Sequence, residues 1–547
     1  MGFKNEKALL VLLLIIVAFA YKGIVGGFFQ QDEWFSFTIY FLNRNLNFID
    51  ALKFFFAPNI GHYNPLTGVV QHTLFSAWGM NYSKFAVLGL ALHLLVVAAF
   101  YFLAKLIFKG NKILAFSSAL LFGVLAAPNQ AVSWVVADIS TLSSSLLGIV
   151  SSILFFVFLK KEEGKYLIWS LIVLGVSLLF KEITIGLFPL FFVIGLFKRK
   201  NKIETKHFLW IAFSGVFYIL LRVAMFFAPN VEVNELVTQS QSTQKLIYNL
   251  TTLPLKVLSQ TVFPSELIKI TAGQTATILP ERLTGIPGSP EFEIFVVKRV
   301  MEVLSLSIAF LIIIFSRRKN IILLGLGWAI LNSFIFFLAP EQPNVIFVVD
   351  SRNLYFASIG VAVFIIATLH FYSKANLVKF FLLLLPILFF NIYWLGKNLS
   401  QFTERGEIRR YILNEITEKH PDLPERVVFY TESDISYYGL PENEKIFPFQ
   451  SGLGQTLLVW YNRSEAFPDE FFENRFLWEI VDQGYIETGD RGFGYFRDLG
   501  LFKKTIEGYN LSEDSVIAFK WNSKTNSLTD ITEEIRKRLW IWSENIN

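Results

Sequence analysis

The chain has 547 residues, 53% of them hydrophobic, with 59 Phe and a mean hydropathy of +0.48, which excludes an ordinary soluble globular protein. It has no cysteine, so disulfides, thiol catalysis and thiolate metal sites are excluded. The net charge of +5 is small, and the Lys/Arg surplus is read loop by loop as a topology signal rather than as a nucleic-acid footprint.

Residues 8–29 predict the first membrane span, after Lys4 and Lys7. Ala18-Phe19-Ala20 resembles a signal-peptidase site. Apolar residues nevertheless resume after Lys22 and run into Asp32-Glu33, which favours an uncleaved span. Residues 30–81 form an aromatic-rich outer loop, in which 35–50 and 52–56 read as helices lying in the interface. Pro65 is placed to start a further short helix, to about Trp78.

The remaining spans are expected at 82–107, 112–127, 138–159, 166–180, 183–197, 207–227, 292–316, 320–338, 353–372 and 376–396, for about eleven in all. Lys and Arg gather in alternate connections, at Lys105, Lys109 and Lys112, at Lys160, Lys161 and Lys165, at 198–202, at 317–319 and at Lys374. Connections 128–137 and 339–349 carry neither, which places the N-terminus inside and the C-terminus outside. Residues 228–291 form a second outer loop with an amphipathic part near 243–263. After Lys397 the composition turns polar. A helix at 400–419, a strand at 426–430, a helix at 451–460, a strand at 515–521 and a helix at 531–541 capped by Asp530 predict a small α/β domain of roughly 140 residues. The organisation is thus a transmembrane domain over 1–397 and a soluble extracytoplasmic α/β domain over 398–547.

Ionisable residues gather at the outer span ends. Adjacent carboxylates at Asp32-Glu33 are costly at that depth unless paired, solvated or used, and a carboxylate there can serve as a general base. Asp138 begins a span, where it is either an N-cap or a group that positions a hydroxyl or a cation. Lys181-Glu182 stands between two short apolar runs, either as an ion pair marking a turn or with Lys181 facing an anionic leaving group. Arg352 opens the tenth span, where it either snorkels or holds a phosphate by a bidentate contact. His62 is better placed for a site than His93, since a lone histidine inside a span is more often structural. Six scattered His without H-E-x-x-H spacing give little support to a metal site, and the absence of a P-loop argues against an ATP-driven pump.

Together these blocks resemble the GT-C superfamily of polyprenyl-phosphate-sugar-dependent glycosyltransferases, and look closest to its protein O-mannosyltransferase-like branch. Asp32-Glu33 matches the acidic pair after the first span. His62-Tyr63-Asn64-Pro65-Leu66-Thr67 is similar to the family's YRPL loop, with Asn64 in place of Arg. Asn129–Leu147 resembles the block holding a Trp and an Asp, here Trp134 and Asp138. Phe180-Lys181-Glu182 matches its SKE block, and Arg352-Asn353-Leu354-Tyr355 its RYLYLPS block. The resemblance spans about 1–396 and implies a GT-C-type transmembrane helix bundle, mainly α. It implies inverting transfer of a monosaccharide from a lipid-linked donor to an acceptor hydroxyl at the outer face of a bacterial plasma membrane. Asp32 and Glu33 would be catalytic. His62, Tyr63, Asn64, Trp134, Asp138, Lys181, Glu182, Arg352 and Tyr355 would bind substrate. No organic cofactor or nucleic acid is expected; help from a divalent metal ion is left open. The partners would be the polyprenyl-phosphate-linked donor, a glycan, lipid or protein acceptor, and membrane lipid. The α/β domain stands where related enzymes carry tetratricopeptide repeats, so protein acceptance is not carried over.

A transporter or flippase for lipid-linked saccharides is the alternative from another class, and a polysaccharide polymerase a third. A transporter would more often show paired repeats with charges at midplane, whereas here the ionisable residues stand at outer span ends.

Overall fold

In apolar surroundings a helix satisfies its own backbone hydrogen bonds, so the long apolar runs of this chain fold as helices. The structure is a computed structural model. It describes residues 6–30, 32–58, 63–198, 204–225, 319–338, 351–435, 444–449, 452–462, 467–478 and 482–544, together with positions 227, 257, 260, 261 and 480. Six helices are long and apolar enough to cross a membrane: Glu6–Gly26, Tyr82–Ile107, Asp138–Lys161, Thr205–Met225, Ser351–Tyr372 and Leu377–Lys419. Shorter apolar helices lie at Lys112–Gly123, Gly164–Phe180, Glu182–Phe197 and Asn320–Phe336. These helices mark an integral membrane protein. The expected span 292–316, the connection 339–349 and nearly all of the loop 228–291 lie outside the described residues.

The chain divides into two units. The first takes Met1–Val25, Asn47–Leu74 and Lys84–Ser400; the second takes Gly26–Leu46, Phe75–Ser83 and Gln401–Asn547. The break near residue 400 lies close to the expected boundary at 397, but two segments that overlap the expected loop 30–81 group with the C-terminal residues.

In the first unit, the helix Val135–Lys161 ends at Glu162, whose φ of +60° turns the chain into the helix Gly164–Phe180. Small hydroxylated residues join this pair. Ser151 and Ser170 each donate to the other's carbonyl at 2.8 Å, and Ser177 donates to the Ser144 carbonyl at 2.8 Å. Such residues let helices approach closely where lipid offers no hydrophobic drive for association. Helices Lys319–Leu331 and Tyr355–Tyr372 also approach closely, at two glycines. A Cβ on Gly360 would lie 2.4 Å from the Gly325 carbonyl oxygen, and one on Gly325 would lie 2.7 Å from the Phe364 nitrogen. Nearly all of Tyr355–Thr368 is buried, in the largest apolar core of the unit.

The second unit is built on a five-stranded sheet of order β2-β3-β1-β4-β5. The strands are β1 Arg426–Ser433, β2 Gly484–Thr488, β3 Arg491–Phe496, β4 Val516–Asn522 and β5 Ser527–Asp530. β1 pairs in parallel with β3 and β4, while β2 and β5 are antiparallel edges. The central strands are apolar on both faces, as parallel strands covered on both sides must be. On one face Val428, Tyr430 and Ala518 pack with Phe502, Ile506, Ile535 and Leu539 of the helices Leu499–Tyr509 and Thr532–Glu544. On the other, Phe429 lies 6.3 Å from Tyr461 of the helix Leu453–Tyr461.

Several expected boundaries shift. The first helix stops at Ala20 and continues as a 3-10 turn over Lys22–Gly26. The interface helix expected over 35–50 ends at Leu42, and a second starts at Phe48, where the Asn47 side chain accepts from the Ile49 and Asp50 amides. The expected helices 376–396 and 400–419 are one continuous helix, Leu377–Lys419, with Pro386 inside it. β2, β3, β5 and the helix Leu499–Tyr509 are additional to the sequence reading.

Asp530 ties β5 to the last helix. Its Oδ1 accepts from the Thr532 amide at 2.9 Å, and its Oδ2 lies 3.0 Å from His420 Nε2. Burial raises its pKa, but the hydrogen bonds from Thr532 and His420 outweigh that and hold the carboxyl below its ordinary value of 3.8. A depressed carboxylate contributes stability that is complete above the unfolded-state pKa and is lost as pH falls through the folded value. The thermal midpoint of the protein is therefore expected to drop as pH is lowered from about 5 through 3, and to drop less steeply in Asp530→Asn. Identical acid limbs in both proteins would show that this carboxylate contributes nothing.

Candidate functional site

Several polar side chains of the first unit line one helix. Trp134, Asp138, Thr141, Ser144 and Gly148 recur at the spacing of one face of Val135–Lys161. The helix starts at Val135, with Trp134 before it making no side-chain cap. Asp138 is therefore not the N-cap envisaged from sequence; its amide donates to the Trp134 carbonyl at 2.7 Å, inside the first turn. Asp138 is 1% exposed. A Cβ on Gly89 would lie 2.4 Å from Asp138 Oδ2, so the missing side chain on the helix Tyr82–Ile107 makes room for this carboxylate.

At the start of the face, the Arg352 guanidinium lies 4.3 Å from the Trp134 ring, a cation–π contact. The neighbouring Ser351 hydroxyl donates to the Ala127 carbonyl and accepts from the Gln130 amide at 3.3 Å. The 3-10 turn Ser351–Leu354 is thus fastened to the segment that leads into Trp134. Tyr355 turns inward, where its hydroxyl lies 2.7 Å from His93 Nδ1, while His93 Nε2 lies 3.1 Å from the Gly123 carbonyl. Both residues are 1% exposed.

A turn further along, Lys181 Nζ donates to Thr141 Oγ1 at 2.9 Å, and Ser144 Oγ donates to the Lys181 carbonyl at 2.9 Å. Thr67 Oγ1 donates to the Phe180 carbonyl at 2.8 Å, which joins the helix Pro65–Trp78 to the same turn. Glu182 is 8% exposed and opens the 3-10 turn Glu182–Thr184. The Arg222 guanidinium lies 3.9 Å from its carboxylate. Arg222 also lies over the Tyr63 ring, 5.5 Å from its centroid. Tyr63 donates to the Phe56 carbonyl at 3.3 Å; burial raises its phenol pKa, and Arg222 pulls it the other way. Tyr218, one turn before Arg222, lies within electrostatic reach of Glu182, Arg222 and Tyr63. Asn64 is half-buried before Pro65, and its carbonyl accepts from the Gly68 amide at 3.2 Å.

The acid pair belongs to the second unit. Asp32 opens the helix Asp32–Leu42; its side chain, like the whole of His62, lies outside the described residues. Glu33 is 1% exposed. Its Oε2 accepts from the Gln30 amide while its own amide donates to the Gln30 carbonyl at 3.0 Å, the reach-back half of a capping box. Glu33 therefore serves the start of its helix.

The structure thus groups Trp134 with Arg352, Lys181 with Thr141, and Glu182 with Arg222 and Tyr63. Arg222, Tyr218 and Thr141 were not singled out from sequence. The signal for Arg222 was present, because an arginine inside an apolar span is by default a functional candidate. Among the described residues no three His, Asp or Glu are gathered as a metal-ligand set.

No family model matches this chain, and no curated protein matches it either.

A double-mutant cycle on Glu182→Gln and Arg222→Gln, read by thermal unfolding in detergent, should show a coupling of about 1 kcal/mol, as for charges sharing one partly buried contact. Closure to within ~0.3 kcal/mol would make the two independent.

Proposed function

We propose that the protein is a membrane glycosyltransferase of GT-C type, which transfers a monosaccharide from a polyprenyl-phosphate-linked donor to an acceptor hydroxyl at the outer face of the membrane. The observation that carries this reading is the set of three cations at the ends of apolar helices, Lys181, Arg222 and Arg352, in one unit with the buried carboxylates Asp138 and Glu182. Charges in an apolar bundle are costly and are retained where they bind or react. Guanidinium groups suit a phosphate, and Arg352 is stacked on Trp134 in the manner arginine favours. The five sequence blocks that resemble the family add to this support.

In the reaction the acceptor hydroxyl attacks the anomeric carbon. A new C–O bond forms as the bond to the phosphate oxygen breaks, and configuration inverts. The lipid phosphate leaves with the bonding electron pair, its charge met by Lys181 and Arg352. Asp32 takes the hydroxyl proton as general base, and Glu33 supports the start of the helix that carries Asp32. The topology in this reading has about eleven spans, a cytoplasmic N-terminus and the sheet-bearing unit outside.

Purified protein should release sugar from a polyprenyl-phosphate monosaccharide. Asp32→Asn should lower turnover by ~10²-fold or more, while Glu33→Gln, which keeps an acceptor for the Gln30 amide, should cost less. Arg352→Lys keeps the charge but loses the planar fork and should impair donor use. Undiminished turnover in Asp32→Asn would remove the assignment of the base.

Topology is tested separately. Lys524 is exposed in the turn between β4 and β5, and the protein has no cysteine to give background. Lys524→Cys should react with an impermeant thiol reagent on intact cells; reaction only after lysis would place this unit inside.

A further inference from the structure

We infer that Arg409 and Arg410 are positioning residues for the acid pair: they hold the segment Gly27–Gln30, from which the helix bearing Asp32 and Glu33 departs. The inference rests on the proposed role of Asp32, and all its contacts lie within the second unit. Arg409 is 3% exposed. Its Nε donates to the Pro448 carbonyl at 3.1 Å and one terminal nitrogen donates to the Phe29 carbonyl at 3.3 Å. Arg410 donates to the Gly27 carbonyl, and its guanidinium lies 5.2 Å from the Phe28 ring centroid. The backbone is therefore held on both sides of Phe28 by consecutive residues of one helix.

Two glycines permit the approach. A Cβ on Gly406 would lie 2.7 Å from the Phe28 nitrogen, and one on Gly27 would lie 2.2 Å from the Phe402 ring. The Phe28 and Phe29 rings each pack at 6.0 Å against Trp34, two residues after Asp32. Glu33 holds the Gln30 amide. Each residue from Gly27 to Gln30 is thus tied by a carbonyl, a ring or an amide. Apolar packing commonly stabilises a buried site as well as buried charges do, so two guanidinium groups on backbone carbonyls are better explained by the orientation they impose. Misplacing a catalytic group by about 1 Å can cost ~10²-fold in rate.

The test uses the full chain in detergent, with two readouts: amide hydrogen exchange and turnover of a polyprenyl-phosphate monosaccharide. Lysine at 409 has no fork to reach both Pro448 and Phe29. Arg409→Lys should speed exchange over residues 30–35 about tenfold, leave β1 and β4 protected as before, and lower kcat about tenfold at unchanged KM for the donor. Arg410→Lys retains a donor for Gly27 and should keep more activity and protection than Arg410→Ala. Unchanged exchange over 30–35 in Arg409→Lys would overturn the inference, as would equal loss of protection across the sheet, which marks a merely structural residue. If Arg409→Lys fails to fold, the Arg410 pair decides: equal exchange over 30–35 in both variants overturns the inference, and a difference confined to that segment supports it. Faster exchange in Arg409→Lys together with a wild type that never turns over donor would keep the clamp and end the transferase reading. Turnover lost in Asp32→Asn but intact in a folded Arg409→Lys would do the reverse.

Discussion

A polar side chain carried into an apolar helix bundle must find its partner within the protein, because the surrounding lipid supplies none. The first unit is arranged around this constraint. The helix Val135–Lys161 answers it with small hydroxyls, which spend their hydrogen bonds on a neighbour's carbonyl and leave the helices close together. Ser144 illustrates the economy: it meets Ser177 at 3.2 Å and donates to the Lys181 carbonyl at 2.9 Å. The residue that carries the ammonium group is thereby fixed by its backbone, while its side chain reaches back to Thr141.

Large charged groups need more than a hydroxyl. Asp138 occupies the space left by Gly89, Arg352 lies on an indole, and Glu182 faces a guanidinium across 3.9 Å. That last separation is long beside the roughly 2.7–2.9 Å of an optimal charge-assisted hydrogen bond. Arg222 belongs to the helix Thr205–Met225, whose Val216, Phe217, Ile219, Leu220 and Val223 are all exposed. The arginine itself is turned inward, with 19% of its side chain exposed. Lys206, the other cation of this helix, stands exposed in its first turn, whereas Arg222 lies deep in the apolar run, where an arginine is by default a candidate for function.

The membrane helices were legible in the sequence because hydropathy reports them directly, as at Tyr82–Ile107 and Tyr355–Tyr372. Their ends were less so. Asp138 looked like a helix start, since Asp is a favoured cap, yet Trp134 precedes the first turn and no side chain caps it. In the sheet-bearing unit, β1 and β4 were legible as runs of β-branched and aromatic residues. β3 was not, because Arg491–Phe496 alternates glycine with aromatic residues, and glycine depresses strand propensity. The fold explains those glycines: a Cβ on Gly492 would lie 1.8 Å from the Tyr485 hydroxyl, so the ring of β2 needs a bare backbone beside it. The helix Leu499–Tyr509 carried its signals in plain view, with Asp498 accepting from the Leu501 amide at its start and Asn510 left-handed at its end. Among the candidate residues, Trp134 and Arg352 were assigned to one site only through the resemblance. Nothing in one-dimensional spacing brings Tyr63 to Arg222.

The helix Leu377–Lys419 changes composition without changing conformation. Its first part is apolar enough to cross a membrane, and its last part holds Glu404, Arg405, Glu407, Arg409 and Arg410. At about 1.5 Å per residue, its 43 residues extend for roughly 65 Å, about twice the hydrocarbon thickness of a bilayer. The place where hydropathy falls is therefore not a place where the backbone stops. A fragment cut at residue 397 would leave about four carbonyls without intrahelical donors, and the piece beginning at 398 about four amides without acceptors, where the intact chain has continuous helix. The compositional border is a seam for a hydropathy plot and mid-ladder for the hydrogen bonds.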